Sequence, residues 1–351
     1  MNTNESAYMQ IYKHIKRDIV EGVYPYGTKI PSKRTSASSF GVSVITVQHA
    51  YDLLCDEGYI RSVEKSGYFV DFRAGDGFSS FPSEPAPSFA VMGSAESSFP
   101  YSVLSKTMRY ILSSRQEDIL RKSPNSGLPE FRDAISRYLA RNKDIRVDPS
   151  RIVIGSGAEY LYNMIAGLLG SDNLFALEDP CYEKIRRVYD NSNIRYELLP
   201  LGNDGIESSA LRRTSATVLH ISPFRSFPTG ISASASKRHE YIRWADKDRR
   251  MIVEDDYESE FSVLGKPVET LFSMATKDNV IYLNTFSKTI SPALRVGYMV
   301  LPSKLASDFD RKLGFYSCTV PTFEQLVIAE LLDSGSFERH INRVRRKLRS
   351  N

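Results

Sequence analysis

The chain has 351 residues, of which 41% are hydrophobic and 25% are charged, and its net charge is +4. This length and composition are typical of a globular protein with two or three domains, and so small a charge points to no class of partner. No apolar run reaches membrane-spanning length and no signal pattern opens the chain, so we expect a cytoplasmic protein that contacts no membrane. The cysteines and histidines are too scattered to indicate a disulfide framework or a metal site.

Residues 1–72 are predicted to form three helices and a hairpin. An apolar stripe at helical spacing predicts a first helix that ends near Gly22. Ser32 can cap a second helix that runs to about Phe40, and Ser43 can cap a third that ends at Gly58. Two short strands, 59–62 and 68–72, then form a wing. Three helices and a wing are typical of DNA-binding domains, in which the third helix enters the major groove.

Basic and acidic residues are nearly balanced in this unit, so only their placement favours DNA. Lys33 and Arg34 open the second helix, and Lys65 lies at the tip of the wing, where a phosphate backbone would pass. A charged helix start and a charged turn are also ordinary features of a solvated surface.

Five motifs carry a family resemblance: Pro31-Ser32-Lys33-Arg34, Phe40-Gly41-Val42-Ser43, Tyr51-Asp52-Leu53-Leu54, Glu57-Gly58-Tyr59-Ile60 and Ser66-Gly67-Tyr68-Phe69-Val70. In this order they resemble the GntR-type winged helix-turn-helix. The resemblance implies that DNA is contacted by Lys33, Arg34, Ser43, Thr46 and Lys65. The family usually has an arginine and a small polar residue where this chain has Val44 and Ile45. Since arginine commonly reads guanine, we expect weaker sequence-specific binding.

Residues 73–100 are rich in Ser, Pro, Gly and Ala and are predicted to form a linker. In residues 101–351, apolar runs of strand length alternate with helical patterns. The predicted strands are 151–155, 174–177, 194–199, 217–222, 251–254, 280–284 and 295–301. This alternation predicts an α/β domain with a mainly parallel sheet and helices on both faces. Binding sites in such sheets lie beyond the carboxyl ends of the strands.

Lys288 lies in a turn between two of these predicted strands. We expect it to be poorly hydrated, which favours the neutral amine that forms a Schiff base with an aldehyde. Thr285, Ser287 and Arg295 surround it in sequence and could hold a phosphate. A lysine with a phosphate cradle suggests pyridoxal phosphate (PLP). The alternative is an ordinary surface loop with a solvated lysine.

Three other strand ends supply possible companions for Lys288. Gly155-Ser156-Gly157-Ala158-Glu159 offers backbone N–H groups at a helix start to an anion. Asp179-Pro180-Cys181-Tyr182 places an aromatic ring where it could lie against a flat cofactor. Glu254-Asp255-Asp256-Tyr257 offers a carboxylate to a protonated pyridine nitrogen, a pairing that makes the ring an electron sink. Adjacent acids also bind metals or simply face water.

Together with Phe227-Pro228-Thr229-Gly230 and Thr285-Phe286-Ser287-Lys288, these motifs resemble the fold-type I aminotransferase large domain of the MocR subfamily of GntR regulators. The resemblance implies that Lys288 bonds PLP and that Asp255 meets the pyridine nitrogen. It implies that Tyr257 bonds the ring hydroxyl and that Tyr182 stacks on the ring. The implied phosphate ligands are Ser156, Gly157, Ala158, Thr285, Ser287 and Arg295.

Two departures limit this resemblance. The segment before Pro228 lacks the polar residues that the family usually has there, so the contact to the ring hydroxyl stays open. The chain also stops at Asn351, about where the family's small domain is expected to begin. We therefore expect a C-terminally truncated large domain and negligible transaminase activity.

The resulting expectation is a homodimeric transcription regulator that binds a DNA operator. It would sense PLP, or an amine or amino acid effector, through a Schiff base at Lys288. The alternatives are a PLP-dependent aminotransferase with a fused winged helix and an inert truncated relic.

Overall fold

The computed structural model describes residues 6–72, 99–247, 249–257, 259–262 and 269–350. The chain divides into two compact units. The N-terminal unit comprises Met1–Gly93 and Pro100–Gln116, and the C-terminal unit comprises Ser94–Phe99 and Glu117–Asn351. Nearly all of the predicted linker, residues 73–98, lies outside the described residues.

The N-terminal unit contains the predicted winged helix and, in addition, a fourth helix. It contains α1 (Ala7–Val20), α2 (Lys33–Phe40), α3 (Val44–Asp56), β1 (Ile60–Val63), β2 (Gly67–Val70) and α4 (Tyr101–Arg115). Ser32 and Ser43 cap α2 and α3, because each side-chain oxygen accepts a hydrogen bond from the backbone N–H three residues later. Strands β1 and β2 pair in antiparallel register, with Ile60 opposite Val70. The core includes Ile15, Val47 and Tyr51, all buried.

The C-terminal unit contains an eight-stranded sheet in the order β3-β10-β9-β8-β7-β4-β5-β6. The strands are β3 (Ile152–Gly155), β4 (Phe175–Asp179), β5 (Tyr196–Gly202), β6 (Gly205–Ile206), β7 (Val218–Ile221), β8 (Met251–Asp255), β9 (Val280–Thr285) and β10 (Gly297–Val300). The five central strands, β9, β8, β7, β4 and β5, are parallel, as predicted. The short strand β6 was not predicted and pairs antiparallel with β5.

Helices cover both faces of the sheet. They are α5 (Pro129–Asn142), α6 (Ala158–Leu169), α7 (Glu183–Asn191), α8 (Ser208–Arg213), α9 (Ala235–Ala245), α10 (Leu271–Met274), α11 (Ser303–Leu313), α12 (Thr322–Asp333) and α13 (Ser336–Ser350). One core joins the sheet to α6, α7 and α11 through residues such as Ile165, Ile185 and Phe309. A second core joins it to α8, α9 and α10 and includes Trp244. Successive side chains of a strand face opposite sides, so adjacent residues of β8 enter different cores.

One edge of the sheet gathers the ends of three strands. Gly297 opens β10 and pairs both with Gly155 at the end of β3 and with Thr285 at the end of β9. Because β10 runs antiparallel to both neighbours, its start lies where they end. Residue 295 and the segments that follow Gly155 and Thr285 therefore meet at this edge.

Across the described ranges, no helix is both long enough and apolar enough to cross a membrane.

Candidate functional site

A close contact between Gly157 and Arg295 forms the centre of the candidate phosphate site. Gly157 precedes α6 with φ +93°, and a Cβ built on it would lie 2.8 Å from Nη2 of Arg295. The positive φ favours glycine here, and a side chain at this position would displace the guanidinium of Arg295. Arg295 itself has φ +49°, which is uncommon for a residue with a side chain. The structure thus brings two of the predicted phosphate ligands together.

The other predicted phosphate ligands lie along the same sheet edge. Ser156 and Ala158 flank Gly157 at the start of α6, where backbone N–H groups and the helix dipole attract anions. Thr285 ends β9, and its methyl carbon lies 3.0 Å from a Cβ built on Gly297. Ser287 follows in the turn and is half-buried.

Glu159 is paired with one donor of this candidate site, Arg295, and with Lys184. Its carboxylate accepts hydrogen bonds from Nη2 of Arg295 and from Nζ of Lys184, each at 2.6 Å. Burial alone would raise the pKa of Glu159, but the bonds from Lys184, from its own backbone N–H and from Arg295 outweigh burial and lower it to about 2. Sequence reasoning treated Glu159 only as part of the glycine motif and missed this pairing.

Asp255 is a buried carboxylate at the end of β8, 8% exposed. The hydroxyl of Tyr162, on α6, donates a hydrogen bond to its Oδ2. Nε2 of His220 lies 4.0 Å from the same oxygen, and Nδ1 of His220 is 2.7 Å from the hydroxyl of Tyr189. Burial and the nearby Asp255 charge hold the pKa of the Tyr162 hydroxyl well above its usual value, so it remains a proton donor.

Tyr162, Tyr189 and His220 were missed as site residues. The one local indication of this group was a single histidine, His220, in the apolar strand 217–222. Nothing in the sequence indicates that this histidine contacts two distant tyrosines. Their contacts exist only because α6 and α7 cover the face of the sheet to which Asp255 points.

Lys288 lies in the turn between β9 and β10, as predicted, but its side chain is exposed. The expectation of a poorly hydrated lysine is therefore wrong for this structure. Lys288 is exposed because the turn begins beyond the last residue of β9, at the edge of the sheet, where solvent reaches it.

The two predicted aromatic ligands lie in different surroundings. Tyr182 is half-buried, and its ring centroid is 5.6 Å from that of Phe227 in an edge-to-face arrangement. Tyr257 follows β8 and is 39% exposed. The segment that departs from the family pattern thus supplies an aromatic neighbour for Tyr182.

Glu178 is a second buried carboxylate that sequence reasoning did not single out. Its Oε2 accepts a hydrogen bond of 2.7 Å from the hydroxyl of Ser226 and one of 3.4 Å from the N–H of Ser222. Burial, with a smaller contribution from the charge of Asp255, raises the pKa of Glu178 to about 7, although both hydrogen bonds oppose the change.

A buried ion pair lies on the opposite face of β8. Nζ of Lys143, just beyond α5, is 2.9 Å from Oδ2 of Asp256 and 3.6 Å from Oε1 of Glu260. Asn284 donates to Glu260 at 2.8 Å, which connects the network to β9. In the part of the chain that the structure describes, no cluster of three His, Cys, Asp or Glu side chains is placed to hold a metal ion.

The predicted DNA contacts lie on α2, on the start of α3 and on the wing. Arg34 and Lys65 are exposed, and Lys65 has φ +58° at the hairpin turn. Lys33 is tied back to its own unit, because its Nζ donates to the side chain of Gln48 and lies 5.6 Å from the ring centroid of Tyr68.

The start of α3 presents more apolar than polar surface. Val44 is 44% exposed and Ile45 is 70% exposed. The hydroxyls of Ser43 and Thr46 lie 2.8 Å apart, and Ser43 caps the helix. These two predicted contact residues therefore also stabilise the helix start.

Two family models match the chain. "Aminotransferase class I and II" matches residues 92–351, and "Bacterial regulatory proteins, gntR family" matches residues 7–70. The HTH-type transcriptional regulator YdeL of Bacillus subtilis is 30% identical over 97% of this chain and 76% of its own length. The probable rhizopine catabolism regulatory protein MocR of Rhizobium meliloti is 26% identical over 97% of this chain and 74% of its own length.

Solved aminotransferases share the fold of the C-terminal unit. LysN, an α-aminoadipate aminotransferase of Thermus thermophilus crystallised with N-(5′-phosphopyridoxyl)-L-leucine, superposes with a TM-score of 0.61 and 26% identity. The match covers 71% of this chain and 64% of LysN, so this chain spans less than two thirds of that structure's length. These matches confirm the predicted winged helix and aminotransferase fold. The chain belongs to the GntR-type HTH transcriptional regulators that carry an aminotransferase class I and II domain, the architecture of MocR.

Proposed function

We propose that this protein is a DNA-binding transcription regulator whose C-terminal unit binds PLP covalently through Lys288 and senses the cofactor or an amine that reacts with it. One observation carries the proposal. The contact between Gly157 and Arg295 and the turn that bears Lys288 lie at one edge of a sheet whose next strand, β8, ends in buried Asp255.

The residues fit PLP in chemistry. The space that a Cβ at Gly157 would fill is taken by the Arg295 guanidinium, which leaves backbone N–H groups and a cation facing the same region. Asp255 is held by Tyr162 in a buried position at the end of β8, where a carboxylate can meet a protonated ring nitrogen. When bound, PLP supplies an aldehyde for amines and a ring that withdraws electrons.

Each residue then has a definite role. Arg295 and the start of α6 would hold the phosphate, and Asp255 would meet the ring nitrogen. Tyr182 would lie beside the ring, and the Lys288 amine would bind the aldehyde. An amine effector would compete with Lys288 for that aldehyde. We expect this competition to alter how two winged helices of a homodimer meet an operator.

Borohydride reduction tests the covalent bond. Protein incubated with PLP is reduced and analysed by mass spectrometry, and we expect one adduct, at Lys288. Lys288→Ala should abolish the adduct, while Lys304→Ala, which removes an exposed lysine at the start of α11, should leave it intact. An adduct that persists at another lysine would contradict the assignment.

Operator binding tests the regulatory part. Fluorescence anisotropy with a promoter fragment should show a PLP-dependent change in affinity for the unsubstituted protein and none for Lys288→Ala. Equal operator affinity with and without PLP would remove the sensing role and leave only a cofactor-binding site.

A further inference from the structure

Arg295, the charged donor of the candidate phosphate site, is already paired with a carboxylate of this chain, that of Glu159. Glu159 lies in the first turn of α6 and accepts hydrogen bonds from Arg295 and Lys184, both at 2.6 Å. The partial positive charge of the helix start favours a carboxylate there, as it favours a phosphate. The same guanidinium that packs on Gly157 is therefore paired before any ligand arrives.

A phosphate that enters the cradle must change this pairing. Phosphate monoesters carry close to two negative charges at neutral pH, and a nearby carboxylate repels them. Arg295 is 49% exposed and Glu159 is 26% exposed, so an anion from solvent can reach the guanidinium from the open side. Glu159 does not become an unpaired charge when Arg295 turns to the phosphate, because Lys184 still holds it.

We propose that Glu159 is an internal competitor of the cofactor phosphate: it occupies Arg295 in the free protein, passes to Lys184 alone when the phosphate binds, and so lowers the affinity for PLP. This inference rests on the proposed function and deepens it. A regulator whose affinity is lowered in this way responds to changes in cofactor concentration instead of remaining saturated.

Glu159→Gln tests the competition directly. The amide keeps the size of the side chain and one acceptor but removes the charge. By equilibrium dialysis we expect the variant to bind PLP about tenfold more tightly, the size of one charge-assisted hydrogen bond. Pyridoxal, which lacks the phosphate, should bind both proteins equally. The difference for PLP should shrink at about 1 M salt, where exposed charges are screened.

Lys184→Met tests the exchange of partners in the opposite direction. Without Lys184, Arg295 is the remaining side-chain partner of Glu159, so PLP should bind several-fold more weakly than in the unsubstituted protein. If Lys184 acts through Glu159, the same substitution should have no effect in a Glu159→Gln background. A loss of equal size in both backgrounds would mean that Lys184 acts independently of Glu159, on the phosphate or through Tyr182, whose ring centroid lies 5.8 Å from its Nζ, and would overturn the exchange.

Glu183→Gln is the matched control. Glu183 also lies in the first turn of a helix, α7, but its carboxylate pairs with Arg187 of that same helix, at 2.5 Å. Its substitution should leave the affinity for PLP unchanged.

Three further results would overturn the inference: PLP binding by Glu159→Gln that is equal or weaker, a matching gain for pyridoxal, or a similar gain in Glu183→Gln. If neither the unsubstituted protein nor Glu159→Gln retains PLP, the proposed function and this inference both fail. Binding by the unsubstituted protein with no gain in Glu159→Gln overturns the inference alone.

Discussion

Glu178→Gln should change the pH dependence of the stability of the C-terminal unit. The carboxyl of Glu178 is buried, and its pKa is raised to about 7 from an ordinary value of 4.5. Between these two pH values the folded protein holds a proton that the unfolded chain releases. The stability that Glu178 contributes is therefore fully present below about pH 4.5 and is lost as the pH rises through about 7.

The size of the loss follows from the displacement of the pKa. At about 1.4 kcal/mol per pH unit, a rise from 4.5 to about 7 corresponds to about 3 kcal/mol of unfolding free energy. Glutamine has no proton to exchange, and its amide oxygen can accept the bonds that Ser226 and Ser222 give to Oε2. Relative to the unsubstituted protein, the variant should gain about 3 kcal/mol between pH 4.5 and pH 7.5.

Trp244 provides the assay. It is the only tryptophan of the chain and is 5% exposed on α9, so its fluorescence during urea unfolding reports on the C-terminal unit alone. Unfolding free energies of both proteins are compared at several pH values. Their difference isolates Glu178, because Glu254, whose pKa burial raises to about 8, titrates equally in both.

Ser226→Ala extends the test in the opposite direction. Removing its hydroxyl takes away a bond that stabilises the ionised carboxylate, so this variant should lose more stability at pH 8 than at pH 5. A difference between Glu178→Gln and the unsubstituted protein that stays constant from pH 4.5 to pH 7.5 would refute the reasoning. It would mean that Glu178 is solvated or paired in solution.

Three further predictions concern the cradle, the buried ion pair and the winged helix. Gly157→Ala should weaken PLP binding at least about tenfold by displacing Arg295, whereas Gly170→Ala, also at a positive φ but with open space around it, should cost only stability. Lys143→Met should destabilise the C-terminal unit by about 3–5 kcal/mol, because it leaves two buried carboxyls without their cation, and the Trp244 assay measures it. Arg34→Ala and Lys65→Ala should each reduce the salt slope of operator binding by about one and weaken cognate and scrambled DNA alike, as anisotropy titrations can check.

The sequence was most informative where short-range rules decide the structure. Ser32 and Ser43 were predicted as caps because serine before an apolar helix start has one common role, and both accept the expected backbone bonds. The seven predicted strands correspond to β3, β4, β5, β7, β8, β9 and β10. Strand β6 has two residues, too few for any hydrophobic period to reveal.

For the candidate site, the sequence predicted which segments come together but not which side chains contact each other. The family resemblance assigned Gly157 and Arg295 to one phosphate site before their contact was known, and strand ends that meet at one edge of the sheet are consistent with that assignment. The pairing of Arg295 with Glu159 could not be predicted, because the two residues are 136 positions apart and compete with many other charges. Nor could the hydration of Lys288 be predicted, because flanking apolar strands do not determine how far a turn projects into solvent.

Asp255 and Asp256, at the end of β8, are adjacent in sequence but contact different groups on opposite sides of the sheet. Consecutive residues of a strand point to opposite faces. Asp255 therefore joins Tyr162 on the side of α6, and Asp256 joins Lys143 on the other side. A metal would need both carboxylates on one side, so alternation alone disfavours the metal interpretation that adjacent acids suggested. Lys143 in turn anchors the residue that directly follows Asp255 at the end of β8.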